Sequence, residues 1–360
     1  MKNRRSPIRE SLRHCGEPGP ARGILDIAVI LSRQSYLRHC EEPDRATWQS
    51  IYIDTNTSLF YNFPVMTKTL KTHLQQLADK YEVASFTEED PSQFLRWYQP
   101  EEGRGSLADV EVASFIAAML AFGNRKQFIP KIRMILETSD RSLGSVSEWL
   151  KTGTYKKDFS HGEAKFYRFY SYDDMQVFFG ELADILKEAG SLGEFFQKKY
   201  TAGPEVECDK NANSPVVECG EAAYRNHRLS QKCGFDTASD EAYSTTGSLA
   251  SILSASFPKS ALVPKGRNSA NKRVHMFLRW MVRRNSPVDL GLWQWADPAT
   301  LLIPLDTHVM QEAARLGLIP PAANASRKTA ELLTATLNEV FPGDPCRGDF
   351  ALFGLGVDVI

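Results

Sequence analysis

The sequence has no CxxC pair, almost no strand-like alternation, and no apolar run near the roughly 20 residues that a membrane-spanning helix needs. The six cysteines (Cys15, Cys40, Cys208, Cys219, Cys233, Cys346) are scattered. That spacing suggests neither a zinc ribbon nor a secreted disulfide framework and fits free thiols in a reducing cytoplasm. The longest early apolar stretch, Gly23 to Leu31, is broken by Asp26, so no membrane partner is expected. The basic start is not followed by a clean apolar segment and a small-residue cleavage site, which argues against secretion. Charge of one sign is also lacking, because the formal net charge is -1. This speaks against a histone-like polyanion binder but leaves room for a local basic patch. With 360 residues, 42% of them hydrophobic, the chain can hold together by burial alone.

What is present begins with an oddity. Leu12-Arg13-His14-Cys15-Gly16-Glu17-Pro18 recurs as Leu37-Arg38-His39-Cys40-Glu41-Glu42-Pro43. Two copies are too few for a solenoid, which needs about three. The stretch resembles translated intergenic repeat DNA, so residues 1–65 are expected to be a disordered or wrongly assigned extension, with the natural start at Met66. The other reading is a Cys/His metal knuckle.

From Thr67 the pattern becomes helical: Leu70, Leu74, Leu77 and Tyr81 share one face, as do Val110, Ala113, Ile116, Ala117 and Leu120. Asp109 is expected to cap the second helix without a full capping box, because Val112 occupies the third position after it. Further helices are predicted over 129–137, 174–188, 271–284, 307–316 and 327–340. Residues 203–245, rich in Pro, Gly, Ser and Asn, read as a flexible surface insertion. The expected organisation is mainly α: a front helical half over 66–202 packed against a back helical half over 246–360.

Two segments could carry chemistry. From Pro264 to Arg284, Lys265, Arg267, Lys272, Arg273, Arg279, Arg283 and Arg284 supply seven positive charges with no acid among them. Val274, Phe277, Leu278 and Met281 fall at i, i+3, i+4 and i+7, so one helix could bury that face and turn its arginines outward to a polyanion. The plainer reading is a solvated basic face paired with acids elsewhere. The second segment is Leu302-Ile303-Pro304-Leu305-Asp306-Thr307-His308-Val309, where Asp306 can cap a helix that Gly317 ends.

KRVHMFLRWMVRR, DLGLW, IPLDTHV, ARLGL and DPCRGDFALFGLG, joined by DPSQF, FIAAMLAFGNRKQ and FYRF, together resemble an uncharacterised bacterial group, the domain-of-unknown-function family twenty-four hundred. More remotely, Asp306-Thr307-His308-Val309 with Arg315-Leu316-Gly317-Leu318 is similar to the segment of helix-hairpin-helix, endonuclease III-like DNA glycosylases that holds their catalytic aspartate. Lys272 to Leu278 looks like the helix carrying their lysine nucleophile. Ala117 to Gln127 sits where that superfamily has a helix ending in a DNA-proximal turn, which would put Asn124, Arg125 and Gln127 near DNA.

That resemblance implies a helix-hairpin-helix glycosylase-like fold with duplex DNA as partner. The implied function is DNA binding and repair, as a base-excision glycosylase or glycosylase/lyase acting on a flipped damaged base. Lys272 and Asp306 would be catalytic, Thr307 and His308 supporting, and Lys265, Arg267, Arg273, Arg279, Arg283 and Arg284 would neutralise phosphates. No metal or other cofactor is expected; no cysteine quartet follows Asp306 to bind an iron–sulfur cluster. Each assignment has a plainer counterpart: Lys272 as a phosphate contact, Asp306 as a helix cap, His308 as a structural hydrogen-bond partner, Trp280 as core rather than a wedge. Asp289 and Asp349 read as caps or anchors for neighbouring helices, with a supporting place beside the site as the alternative. The competing functions are a non-catalytic helical module that binds nucleic acid or protein, and a metal-dependent hydrolase built on His308, Asp306 and Asp349. The sequence sets neither the lesion nor the oligomeric state.

Overall fold

Helical spacing in the sequence becomes helical packing in the computed structural model, which describes residues 66–202 and 248–358. The expectations for 1–65 and 203–245 lie outside the described residues. Helix α1 (Lys68–Tyr81) starts where Thr67 Oγ1 accepts from the Leu70 amide at 3.2 Å. Helix α2 (Leu107–Leu120) departs from expectation, because Ser106, not Asp109, is its cap. Asp109 is the third residue of a complete capping box: its Oδ2 accepts from the Ser106 amide at 2.8 Å. Its Oδ1 accepts from Ser145 Oγ at 2.6 Å and the Ser147 amide at 2.8 Å. The same carboxylate therefore starts α2 and fastens it to α4 (Val146–Lys151).

Asn124 caps α3 (Arg125–Leu143), its Oδ1 accepting from the Lys126 amide at 2.9 Å. After the short α5 (Tyr155–Asp158), the one sheet among the described residues is a hairpin of β1 (Lys165–Tyr167) and β2 (Tyr170–Ser171). Then follow α6 (Tyr172–Ala189), α7 (Leu192–Ala202), α8 (Leu249–Ala255) and α9 (Lys272–Val282). The chain closes with α10 (Thr307–Arg315), α11 (Arg327–Asn338) and α12 (Gly348–Asp358). The protein is mainly helical, as the sequence predicts. Among the described residues no helix is long and apolar enough to cross a membrane.

The apolar side chains gather into two clusters whose boundary does not follow the chain. One takes α2, α3, α4, α6 and α7 from the front together with Phe257, Val274, Phe277, Trp280 and Trp293 from the back. The other joins Leu74, Leu77 and Ala78 of α1 to residues of α10, α11 and α12. The first described helix thus packs on the last, which comes so close that a Cβ on Gly354 would lie 2.2 Å from the Tyr81 ring. Trp280 is core, with no exposure.

Helix α9 is enclosed almost all round, and this overturns one expectation. Arg279 and Arg283 do not look outward: they are 3% and 2% exposed. Asp289 is shared between them, at 3.2 Å from Arg279 Nε and 2.8 Å from Arg283 Nη1. Arg283 also meets Glu82 at 2.5 Å and Asp344 at 2.7 Å, and Arg279 pairs with Asp349. The acids come from three places in the chain, Asp289 just beyond the basic run and Glu82, Asp344 and Asp349 far from it, so the acid-free segment concealed the pairing. A buried charge without a partner is strongly unfavourable, and removing one member of such a pair costs about 3–5 kcal/mol. Asp289→Ala is therefore expected to lower unfolding stability by about that much, read from the urea midpoint. A loss below about 1 kcal/mol would mean that Glu82, Asp344 and Asp349 hold both arginines without it.

Candidate active site

Two helix starts face one another across the boundary between the clusters. Helix α9 follows Asn271, which sits in the left-handed region (φ 42°, ψ 43°) and turns the incoming loop directly into the helix, so that Lys272 is its first residue. Helix α10 is capped by Asp306, whose Oδ1 accepts from the Val309 amide at 2.9 Å. The buried run before it is held in place by Ile303, whose amide donates to Thr334 Oγ1 at 3.0 Å. With one carboxylate oxygen spent on the cap, the other lies 2.8 Å from Lys272 Nζ. Asp306 thus serves both as the helix cap of the plainer reading and as an ion-pair partner.

The pair lies on the wall of a cavity of about 570 Å³, together with Asp349, Phe86, Phe122 and Phe353. That volume falls inside the range of roughly 300–1,000 Å³ usual for small-molecule sites. Its apolar lining is organised by cations. The Arg273 guanidinium stands 4.7 Å from the Phe122 ring centre, and Arg125 and Lys272 approach Phe353 at 5.3 and 5.9 Å. Phe86 meets Phe353 edge-on at 5.8 Å. Such contacts keep aromatic faces and charged groups side by side in a partly dry space.

The two carboxylates on this wall have opposite electrostatics. Burial works to raise the Asp306 carboxyl, but the Lys272 charge and hydrogen bond, with the Val309 amide, outweigh it and hold the group below the usual carboxylate range. Burial dominates at Asp349 and pushes its carboxyl up to about 6, although Arg279 pulls the other way. Arg279 donates to Asp349 Oδ2, while no hydrogen bond reaches Oδ1 from the described residues.

The remaining expected site residues are dispersed. Lys265 and Arg267 are exposed on the loop before α9, with Lys265 Nζ donating to the Ser260 carbonyl. Arg273 donates to the Met119 carbonyl at the end of α2. Arg284 is exposed, and its guanidinium is held by the Gln294 and Ala296 carbonyls, the latter at 3.0 Å. Arg125 lines the cavity; Gln127 is exposed beside it on α3; Asn124 is spent on its cap. Thr307 is exposed and His308 half-buried in the first turn of α10, and both border the cavity. Among the described residues no group of three or more His, Cys, Asp or Glu could hold a metal ion, so the hydrolase reading built on His308, Asp306 and Asp349 loses its basis.

The family model described as "Protein of unknown function (DUF2400)" matches residues 90–358. The chain belongs to that family. No curated protein and no solved structure matches the chain. The DUF2400 region contains Lys272, Asp306, Asp349, Phe122 and Phe353. Phe86 and the whole of α1 precede it, although α1 completes the second apolar cluster. Sequence reasoning gives no signal for Phe86 and assigns no site role to Phe122, within the FIAAMLAFGNRKQ motif, or Phe353, within RGDFALFGLG; Asp349 reads first as a helix cap or anchor and otherwise only as a supporting group or in the hydrolase alternative.

Asp306 contributes stability above its unfolded-state pKa, and that contribution is lost as pH falls through its lowered folded value. Removing the neighbouring charge should narrow this window. In Lys272→Met the Asp306 carboxyl is expected to titrate at higher pH than in the unsubstituted protein, followed by its carboxyl carbon chemical shift. An unchanged midpoint would show that the Val309 amide, not Lys272, sets its acidity.

Proposed function

We propose that this protein is a DNA repair enzyme of the cytoplasm, a base-excision glycosylase or glycosylase/lyase on a helix-hairpin-helix-like scaffold. Its substrate would be duplex DNA with a damaged base flipped into the cavity beside Lys272 and Asp306. One observation carries the reading: the two residues singled out by the remote resemblance meet at 2.8 Å on the wall of one cavity. A catalytically silent module would need no such convergence. Arg125 and Arg273 line the cavity, while Lys265 and Arg267 on the loop before α9 and Arg284 beyond it are exposed elsewhere; these are the cations available to phosphates, and Arg279 and Arg283 are not, being buried.

The chemistry follows from drying the pair. A base entering the cavity expels water, and an ion pair in a drier site is less favourable relative to its neutral form. The ammonium proton of Lys272 then passes to Asp306 Oδ2, and the freed Nζ lone pair attacks the sugar carbon C1′. The bond from C1′ to the base breaks with its electron pair on the base, which takes up a proton from solvent or from a general acid in the cavity as it leaves. Opening of the sugar ring at O4′, with uptake of a proton there, gives the Schiff base from which strand cleavage proceeds. If water attacks C1′ instead, Asp306 receives its proton and the product is an abasic site without strand cleavage.

Duplex oligonucleotides with an abasic site or with one oxidised, deaminated or alkylated base, treated with borohydride, test the reading. A covalent adduct that vanishes in Lys272→Ala is expected for a lyase. Base release lost in Asp306→Asn, by about 10²-fold or more, with no adduct at any stage, is expected for a water nucleophile. Salt-sensitive binding without turnover on any substrate, unchanged by both substitutions, would overturn the enzyme and leave a binding module whose Asp306 is only a cap. Binding should weaken with salt in proportion to the phosphates neutralised, with a slope of about −0.9 per contact in a double-logarithmic plot. Arg267→Ala should reduce that slope by about one contact.

A further inference from the structure

The cavity holds a third ionisable group that the chemistry above leaves unused. Asp349 is in the first turn of α12 and 7% exposed. Arg279 grips one of its oxygens from α9, so the carboxyl is fixed in orientation, while no described residue hydrogen-bonds the other oxygen. The charged groups around it come from every side. Arg279 and Lys272 lie on α9 and Asp289 on the loop after it, Asp306 caps α10 and His308 is in its first turn, and Arg125 and Asp90 also line the cavity. Cys346, buried in the turn before α12, completes its surroundings.

Resting on the glycosylase reading, we propose that Asp349 is the general acid that protonates the departing base, and that the substrate class is therefore neutral damaged bases. The bond from C1′ to the base breaks with its electron pair on the base, and the Asp349 proton goes to a ring nitrogen of that base. Asp349 is left as a carboxylate, which Arg279 already compensates, and is reprotonated from solvent once the base departs. A cationic alkylated base needs no such proton. It would also enter a cavity whose walls carry Lys272, Arg273 and Arg125.

Two carboxyls in one cavity with acidities pushed apart are the usual arrangement for dividing acid and base work. Asp306, held low, starts as the carboxylate that takes up the proton of the attacking group, Lys272 or water. Asp349, raised toward neutrality by burial, still carries a proton in an appreciable fraction of molecules, and a base that fills the cavity removes more water and raises it further.

The test uses the full chain with duplexes carrying 8-oxoguanine, hypoxanthine, uracil or 7-methylguanine at one position, and a duplex with an abasic-site analogue for binding. In the unsubstituted protein, release of a neutral base is expected to fall as pH rises through the Asp349 midpoint. Asp349→Asn should slow that release by about 10²-fold or more and abolish this limb of the pH profile. Its Kd for the abasic-site duplex should stay within about threefold, and Asp349→Glu should recover part of the rate. Equal losses of rate and product binding, or a rate and pH profile unchanged in Asp349→Asn, would overturn this role while leaving the glycosylase reading standing. So would 7-methylguanine as the preferred substrate. No release of any base by the unsubstituted protein would overturn both.

Discussion

Two arginines at the end of one helix, Arg279 in its last turn and Arg283 at its cap, lie in the interior with acids from three parts of the chain around them. Neither can be left alone there, because an unpaired guanidinium in the interior has lost its water without replacement. The pairing therefore acts as a constraint on everything nearby. Glu82 follows α1, Asp289 belongs to the loop after α9, and Asp344 and Asp349 flank the start of α12. Satisfying both arginines requires the first and last described helices to meet beside α9. Apolar packing between α1 and α12 would tolerate sliding; directional ion pairs do not, and they set the register.

The cavity is a consequence of the same constraint. Drawing α12 against α9 brings Asp349 and Phe353 to the wall where Lys272 begins its helix. The buried run Leu301 to Leu305 delivers Asp306 to the opposite side, with its helix cap already made. Lys272 and Asp306 meet because each stands at the beginning of a helix, where a side chain can reach across a gap without crossing backbone. One carboxylate oxygen holds the helix and the other holds the lysine. A single residue thus couples the stability of α10 to the electrostatics of the cavity, and a substitution there reads out in both.

Periodicity made most helices legible. Leu70, Leu74, Leu77 and Tyr81 announced α1, and the structure supplied Thr67 as its cap. Helix starts were less legible where two capping residues compete: Ser106 and Asp109 both suit the role, and only their reciprocal bonds show which is cap and which is partner. The basic helix was legible as a helix and misleading as a surface. Its apolar stripe was wide enough to bury one face. The opposite face is buried too, by partners that, Asp289 apart, no window of local sequence contains.

The sequence by itself determined the helical class, the order of the principal helices, the family motifs, and the two residue types, lysine and aspartate, that a covalent or electrostatic mechanism at a sugar would use. Local physics suffices for these, because helix propensity, capping and spacing act over a few residues. The tertiary structure decided which charges face water and which face each other. It decided that Lys272 and Asp306 share a wall with Asp349 and three phenylalanines, and that α1 closes on α12. Those outcomes depend on groups far apart in the chain becoming neighbours. The energy of a charge depends on what surrounds it in space, not on what precedes it in sequence.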